Sequence, residues 1–273
     1  MPVACVPGKR TGFVRHVSTY INLFCMSDQV NGVVLREDFK VAKKIFDNAF
    51  NPVQVIGTLP NGKKGWVANT NYDPTWDSVS AFSLTQSTIR LEQPIVSTSA
   101  NYLFPILSNI QNQAQQFPSE IRLNLQDSFV PTRIGVYVGL PSGTADTTFP
   151  LFTYFNPIIF GVADAAAMEA FYNGQLKIMI NNKQFVNGYG LYKHRRVPQT
   201  QQTATPLAAA VNVTEFDGSV DGTYPMQPFT LLLGSQNIQI SIQLPNAITA
   251  FTANSRIILI FEGVLAQNST VVN

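Results

Sequence analysis

The sequence predicts a mainly β protein, a sandwich of antiparallel strands, and two observations carry this prediction. Short runs rich in β-branched and aromatic residues, separated by Pro, Gly and Asn, follow one another between Ser87 and Leu265. Several of them alternate apolar with polar residues, as a strand with one buried face does. The runs are TIRLEQPIV (88–96), EIRLNLQ (120–126), RIGVYVGL (133–140), FPLFTYFNPIIF (149–160), QLKIMIN (175–181), FTLLLG (229–234), NIQISIQL (237–244) and RIILIFEGVL (256–265).

Two of the runs show how many faces their strands bury. NIQISIQL at 237–244 has Ile or Leu at every second position and Gln or Ser between them. This alternation predicts a half-buried antiparallel strand. RIILIFEGVL is apolar at consecutive positions from Ile257 to Phe261, which predicts a central strand covered on both faces.

The composition favours a protein that packs against copies of itself. Only 12% of the 273 residues are charged, about half the usual share, whereas Phe is abundant with 19 residues. A surface built from neutral polar groups repels its neighbours weakly. An ordinary secreted β protein is the alternative that this composition leaves open.

Cysteine usage and hydropathy limit the cellular context. Cys5 and Cys25 are too few for a disulfide framework and lack metal-ligand spacing. MPVACVPGKR has no apolar core after a basic start, and no stretch approaches about 18 uninterrupted apolar residues. We therefore expect synthesis in the cytoplasm and no membrane span.

The first segment of the chain is basic, and the rest is slightly acidic. Residues 1–65 carry a net charge of +5 and residues 66–273 a net charge of −3. LREDFKVAKKIFDNAF at 35–50 predicts an amphipathic helix, with acids near its start and Asn51-Pro52 after its end. The excess of cations indicates contact with a polyanion, either nucleic acid or an anionic membrane. The candidate residues are Lys9, Arg10, Arg15, Lys40, Lys43 and Lys44. A solvated helix face is the commoner meaning of such lysines.

The pattern divides the chain into two regions. Residues 1–84 form a basic N-terminal arm with the helix at 35–50 and short strands, and residues 85–273 form the β-sandwich. A short helix is predicted at 162–173, between two strand runs. The stretches at 109–118 and 197–210 are rich in Gln, Thr and Ala and predict long loops, which usually mediate contacts.

A search for chemistry finds no catalytic set, cofactor motif or metal site. His16 and His194 are the only histidines, GLPSG at 139–143 has Pro141 where a nucleophile elbow has serine, and LPNGKKGW at 59–66 lacks P-loop spacing. Asn61-Gly62 is instead a hairpin signal. DGSVDG at 217–222 lacks the calcium-loop pattern and predicts two tight turns. The acids within strand runs are Glu92, Glu120 and Glu262. We therefore predict that the protein is not an enzyme and binds no cofactor.

One basic cluster lies beside aromatic residues. KHRR at 193–196 follows Tyr189 and Tyr192, and basic residues among aromatics can bind single-stranded nucleic acid. Pairing with acids of a neighbouring subunit explains the cluster equally well. Lys193, Arg195 and Arg196 are therefore candidate intersubunit or nucleic-acid contacts.

The stretch from Glu120 to Thr200 and the ending FTLLLGSQNIQISIQLPN…RIILIFEGVLA resemble structural proteins of icosahedral bacteriophages. The group that they resemble is the tailless, membrane-containing phages of Bacteroidetes-type hosts, whose coat is built from jelly-roll subunits. The resemblance covers about two thirds of the chain. It implies a jelly-roll capsid protein that self-assembles into the virion shell.

The resemblance also implies a fold and partners. We expect one main jelly roll with an N-terminal helical arm, and a double jelly roll is the alternative. The implied partners are copies of the chain in a trimer or pseudo-hexamer, other virion proteins, and the genome or an internal membrane through the arm.

Two other functions remain open. One is a receptor- or carbohydrate-binding β-sandwich of a head fibre or tail, with Trp66, Tyr72 and Trp76 as candidate platform residues. The other is a ring or portal-proximal virion protein.

Overall fold

The computed structural model describes residues 29–30, 33–34, 37–108, 117–153, 162–195, 223–248, 251 and 253–269. Its strands are β1 (Gln29–Val30), β2 (Val33–Val34), β3 (Gln54–Thr58), β4 (Lys64–Ala68), β5 (Ser83–Pro94), β6 (Asn101–Phe104), β7 (Ser128–Gly139), β8 (Leu151–Phe152), β9 (Gln175–Ile180), β10 (Lys183–Gly190), β11 (Thr223–Pro225), β12 (Leu232–Leu233), β13 (Ile238–Gln243) and β14 (Arg256–Gln267). Its helices are α1 (Glu37–Phe50), α2 (Ser78–Ala81) and α3 (Val162–Tyr172), and a 3₁₀ turn follows β10 at Leu191–His194. The protein is mainly β, as the sequence predicts.

Two antiparallel sheets contain most of the strands. The six-stranded sheet has the order β11-β7-β14-β5, and the short strands β8 and β12 also pair with β7. The four-stranded sheet has the order β10-β9-β13-β6. Every strand pair in both sheets is antiparallel.

The pairing is nested along the chain. β5 pairs with β14, β6 with β13, β7 with β11 and β12, and β9 with β10. The first long strand of the two sheets therefore lies beside the last. Each following pair joins two strands that lie between the members of the preceding pair in the sequence. Two further ladders, β14 with β7 and β13 with β9, complete the sheets.

One apolar core lies between the two sheets. It contains Leu259 and Val136 from the larger sheet and Ile240 and Ile178 from the smaller one, each 1% exposed or less. In β13 the isoleucines are buried while Gln239 and Gln243 are exposed, which confirms the predicted half-buried strand. β14 lies between two neighbours and is buried along nearly its whole length, as predicted for a central strand.

The outer face of the six-stranded sheet is covered at two places. Ala42 and Phe46 of α1 pack with Val130, Val264 and Ala266, so the helix lies against one end of this face. At the other end, charged side chains of β5 and β14 lie under the segment that follows β7. α3 contributes Met168 and Phe171 to the main core.

Some predicted strands are shorter than expected or are not strands. EIRLNLQ at 120–126 makes only isolated bridges, from Ile121 to Arg90 and from Leu123 to Leu107. Its two bridge partners lie in different places, Arg90 on the edge strand β5 and Leu107 after the end of β6. The segment therefore has no single partner strand with which to form a ladder. The run at 149–160 contains the two-residue strand β8, and its remainder from 154 lies outside the described residues. The predicted loops at 109–118 and 197–210 lie mostly or wholly outside them.

Candidate functional site

Two kinds of feature are not found in the described part of the chain. Among the described residues, no group of three or more His, Cys, Asp or Glu side chains could hold a metal ion. Within the same residues, no helix is long and apolar enough to cross a membrane. Four features remain: a buried charge network, the lysines of α1, a basic-aromatic patch and an apolar hairpin.

The buried charge network joins β5 to β14. Arg256 Nη1 donates to Glu92 Oε2 at 3.0 Å, and its Nη2 donates to the carbonyl oxygens of Gly143 and Thr144 at 2.9 and 2.8 Å. The other Glu92 oxygen accepts from Arg90 Nε at 2.7 Å and Ser119 Oγ at 2.6 Å. Glu92 and Arg256 are essentially inaccessible to solvent. Glu92 is thus held between two guanidinium groups.

A second carboxylate extends this network along the edge of β5. Glu120 Oε1 accepts the backbone N–H of Glu92 at 3.2 Å, and Glu120 Oε2 accepts from Arg122 Nη2 at 2.9 Å. The Arg256 guanidinium lies 3.8 Å from the ring centroid of Phe117. Moving a covering segment away would leave a buried charge of the network without a partner, which is unfavourable. The network therefore fixes the covering segments in place.

The lysines of α1 differ in their surroundings. Lys43 Nζ lies 2.9 Å from Asp47 and 2.8 Å from Asp77, so it fastens α1 to the residue before α2. Burial lowers the pKa of Lys43, but the hydrogen bonds and charges of Asp77 and Asp47 outweigh burial and raise it overall. Lys40 pairs with Glu37 at 2.9 Å, and Lys44 is exposed. Lys44 is therefore the α1 lysine best placed to meet a polyanion. Lys9, Arg10 and Arg15 lie outside the described residues.

The basic-aromatic patch, which comprises Tyr189, Tyr192, Lys193 and Arg195, lies at the end of β10. Tyr192 is 64% exposed, and Lys193 and Arg195 are exposed beside it. Lys193 Nζ lies 4.7 Å from the ring centroid of Tyr189. Burial, together with the neighbouring Tyr224 and Tyr192, raises the pKa of Tyr189 to about 12. Arg196 lies outside the described residues.

His194 does not belong to the exposed part of this patch. Its ring is buried between Tyr189 and Tyr224, with ring centroids 5.6 and 5.2 Å away. The histidine therefore anchors the 3₁₀ turn, and the residues on either side of it face solvent.

The apolar hairpin, formed by β3 and β4, exposes side chains that are usually buried. Ile56 and Trp66 are directly paired across the hairpin and are 66% and 65% exposed. Its turn contains Gly62 with φ of +75°, a conformation that glycine adopts easily, which agrees with the Asn61-Gly62 hairpin signal. An open concavity of about 650 Å³ lies beside β3, and Val53, Val55, Ile56 and Trp66 are among its lining residues.

The base of the hairpin is fixed to the end of α1. Asn51 donates to the carbonyl oxygen of Asp73 at 2.6 Å and accepts the Asp73 N–H at 3.1 Å, and Asn69 donates to the carbonyl oxygen of Pro52 at 2.7 Å. A two-stranded hairpin alone is marginally stable in water. These bonds hold it in place while its apolar side chains face solvent.

The three aromatic residues considered as a carbohydrate platform do not share one environment. Trp76 packs against Phe82 at a centroid distance of 5.9 Å and joins the apolar cluster under α1. Trp66 belongs to the hairpin, and Tyr72 is 39% exposed. Trp76 is therefore part of the packing between arm and sheet.

Sequence reasoning missed the charge network and all of the hairpin's exposed apolar surface except Trp66. Charged residues inside strand runs, such as Glu92, were the available signal for the network. Of the exposed pair, the sequence pointed to Trp66 as a candidate platform residue, whereas Ile56 was not singled out, since apolar strand residues normally indicate burial.

Comparison of the chain with protein-family models, curated proteins and solved structures gives no match in any of the three.

Proposed function

We propose that this protein is a capsid subunit with a single jelly-roll sandwich, which forms a virion shell by self-association. The observation that carries the proposal is the nested strand pairing. A jelly roll is an eight-stranded double sheet of two Greek keys. Pairing β5 with β14, β6 with β13, β7 with β11, and β9 with β10 is the order expected when one long antiparallel hairpin rolls into two sheets.

The part of the chain before Ser83 supports a single rather than a double jelly roll. Among its described residues, the strands form two separate two-stranded sheets, β1 with β2 and β3 with β4. A second jelly roll needs about eight strands in two packed sheets. In this proposal the first 82 residues instead form an arm and a packing helix.

Surface properties support a building role rather than a catalytic one. The low share of charged residues weakens repulsion between copies, and the apolar hairpin offers side chains that gain from burial between subunits. In the proposed particle the basic residues of the arm face the genome or an internal membrane. The resemblance to coat proteins of tailless, membrane-containing phages agrees with this arrangement.

The test is to purify the full chain and follow its assembly. Sedimentation over rising protein concentration, followed by electron microscopy, should show trimers or hexamer-like units and then closed shells. A chain that remains monomeric at every concentration would overturn the proposal.

The role of the arm has a separate test. Replacing Lys9, Arg10 and Arg15 with Gln removes charge without changing chain length. We expect weaker binding to nucleic acid or to anionic vesicles at low salt, with a shallower salt dependence. Unchanged binding in this variant would contradict an inward-facing arm.

A second candidate function is receptor or carbohydrate binding by a virion fibre module. The exposed ring of Tyr192 beside Lys193 and Arg195 favours it, because exposed aromatic side chains can stack on ligands. Glycan binding that Tyr192→Ala abolishes, by a chain that forms no shells, would support this function over the capsid role.

A further inference from the structure

The strand β5 has an edge whose two halves differ. In antiparallel pairing, alternate residues direct both backbone groups toward one neighbour. Arg90 exchanges backbone hydrogen bonds with Ile121 on the side away from β14, at 2.9 and 2.8 Å. The β5–β14 register has no shift, so the alternation is unbroken along the strand. Leu84, Gln86, Thr88 and Glu92 therefore also direct their backbone N–H and C=O groups away from β14.

The C-terminal half of this edge is closed. Arg90 is paired with Ile121, the Glu92 N–H donates to the Glu120 carboxylate at 3.2 Å, and Pro94 has no N–H to donate. The N-terminal half is open: among the described residues, no hydrogen bond reaches the outward backbone groups of Leu84, Gln86 and Thr88. From Ser83 to Ile89 the strand carries no charged side chain.

The hairpin has a matching edge. The Asn69 N–H donates to the Val53 carbonyl oxygen and the Leu59 N–H to the Lys63 carbonyl oxygen, both within the hairpin. By the same alternation, Gln54, Ile56 and Thr58 direct their backbone groups away from β4. No hydrogen bond reaches those groups within the described residues. β3 is also free of charged side chains, whereas β4 begins at Lys64.

We propose that β3 of one copy adds as an antiparallel strand to the open edge of β5, Leu84 to Thr88, in a second copy. This inference rests on the proposed self-association and names its contact. Ile56 would then lie opposite Gln86, Gln54 opposite Thr88, and Thr58 opposite Leu84. Each of the three pairs exchanges two backbone hydrogen bonds.

The pairing also gives cover to the exposed apolar side chains of the hairpin. Side chains directly opposite each other in a sheet lie on the same face. Leu84 packs with the apolar cluster under α1, so Ile56 and its partner Trp66 from the neighbouring copy would extend that cluster.

The contact is heterologous, since each copy offers one donor strand and one acceptor edge. Contacts of this type form rings when the rotation between copies closes. This geometry suits the subunits of a shell.

Cysteine cross-linking tests the pairing directly. In a background with Cys5→Ser and Cys25→Ser, one variant carries Ile56→Cys and the other Gln86→Cys. Opposed residues in such a pair have Cα atoms about 5.5 Å apart, within reach of a disulfide. Mixing the two under mild oxidation should give a linked dimer in about tenfold higher yield than Ile56→Cys mixed with Leu103→Cys. Leu103 is as exposed as Ile56, at 67% against 66%, and lies on β6, an edge strand of the other sheet.

Two matched proline variants test the direction of the contact. Gln86→Pro and Ile56→Pro each remove an outward N–H and leave the chain's own ladders intact, which circular dichroism and thermal melting verify. Neither variant should form the contact alone. An equimolar mixture should form one-to-one dimers that do not extend, since only one intact donor and one intact acceptor remain. Wild-type assembly by either variant alone would overturn the proposed pairing.

The outcomes separate this inference from the capsid proposal. Shells that form without the 56–86 cross-link overturn the strand addition and leave the shell role standing. Cross-linked dimers that never close into shells support the strand addition and overturn the shell role. The absence of both overturns both.

Discussion

Replacing Arg256 with Met should destabilise the protein far more than loss of an exposed ion pair does. The substitution removes the 3.0 Å contact to Glu92 and the hydrogen bonds to the carbonyl oxygens of Gly143 and Thr144. Glu92 stays buried with Arg90 and Ser119 as its remaining side-chain partners. Removing one member of a buried pair costs about 3–5 kcal/mol. We expect a loss of that size in the free energy of unfolding.

The double variant Arg256→Met, Glu92→Met identifies the source of this loss. It removes both buried charges and restores apolar packing, which is often neutral or stabilising relative to a buried ion pair. The double variant should therefore be more stable than Arg256→Met alone, with a coupling energy of about 1–3 kcal/mol. Glu37→Gln is the matched control, since the Glu37 side chain is 76% exposed, and it should change stability by less than about 0.5 kcal/mol.

Urea unfolding followed by tryptophan fluorescence and circular dichroism measures five proteins: the wild type, Arg256→Met, Glu92→Met, the double variant and Glu37→Gln. Equal slopes of the unfolding free energy against urea would show that the compared states have the same compactness. A loss below about 1 kcal/mol for Arg256→Met, the range of exposed pairs, would refute the argument. Strict additivity of the two single losses would refute the coupling through Glu92.

Two further predictions follow from contacts in the same sheet and in α1. Gly263→Ala should destabilise the protein by about 3 kcal/mol or more, because a Cβ there would overlap the Val130 carbonyl oxygen. Gly143→Ala is the control: its Cβ would meet only Asp146, at 4.0 Å, so this variant should have the melting temperature of the wild type. Lys43→Met should cost about 1–2 kcal/mol near pH 7 in urea unfolding. The Lys43 pKa is raised above 10.5 in the fold, so the loss in unfolding free energy should have its full size near pH 7 and up to pH 10.5, and should disappear as the pH rises further. A loss that does not change with pH over this range would contradict the prediction.

The sequence predicts those parts of the fold whose burial follows a local period. The alternation in β13 gives the right element with the right buried face, and the continuous apolar run in β14 gives the right element and its central position in the sheet. EIRLNLQ has the same alternation, but its partners are Arg90 and Leu107, which belong to different parts of the structure. Local pattern does not encode this kind of pairing, so the predicted strand was wrong.

The candidate surfaces were predictable only in part. The exposed cations Lys193 and Arg195 lie in a cluster that sequence alone shows, and the structure adds that His194 between them is buried. The charge network could not be predicted, because Glu92 and Arg256 are 164 residues apart in the chain. Their contact depends on β5 and β14 being neighbours, which is a property of the whole topology.

The two halves of β5 show why its open edge differs from incidental exposure. Exposed strand edges promote unwanted pairing, and soluble proteins commonly block them with charged residues, proline or covering segments. In β5 the C-terminal half has all three: Arg90, Pro94 and the segment containing Glu120. Between Ser83 and Ile89 the N-terminal half has no charged residue and no proline, although the chain contains 18 Lys and Arg residues, and among the described residues no segment bonds to its outward backbone groups. A strand that is protected in one half and open in the other fits an edge kept for a partner strand. If the charge network holds the protective segment in place, Arg256→Met should also expose the closed half and increase non-specific aggregation.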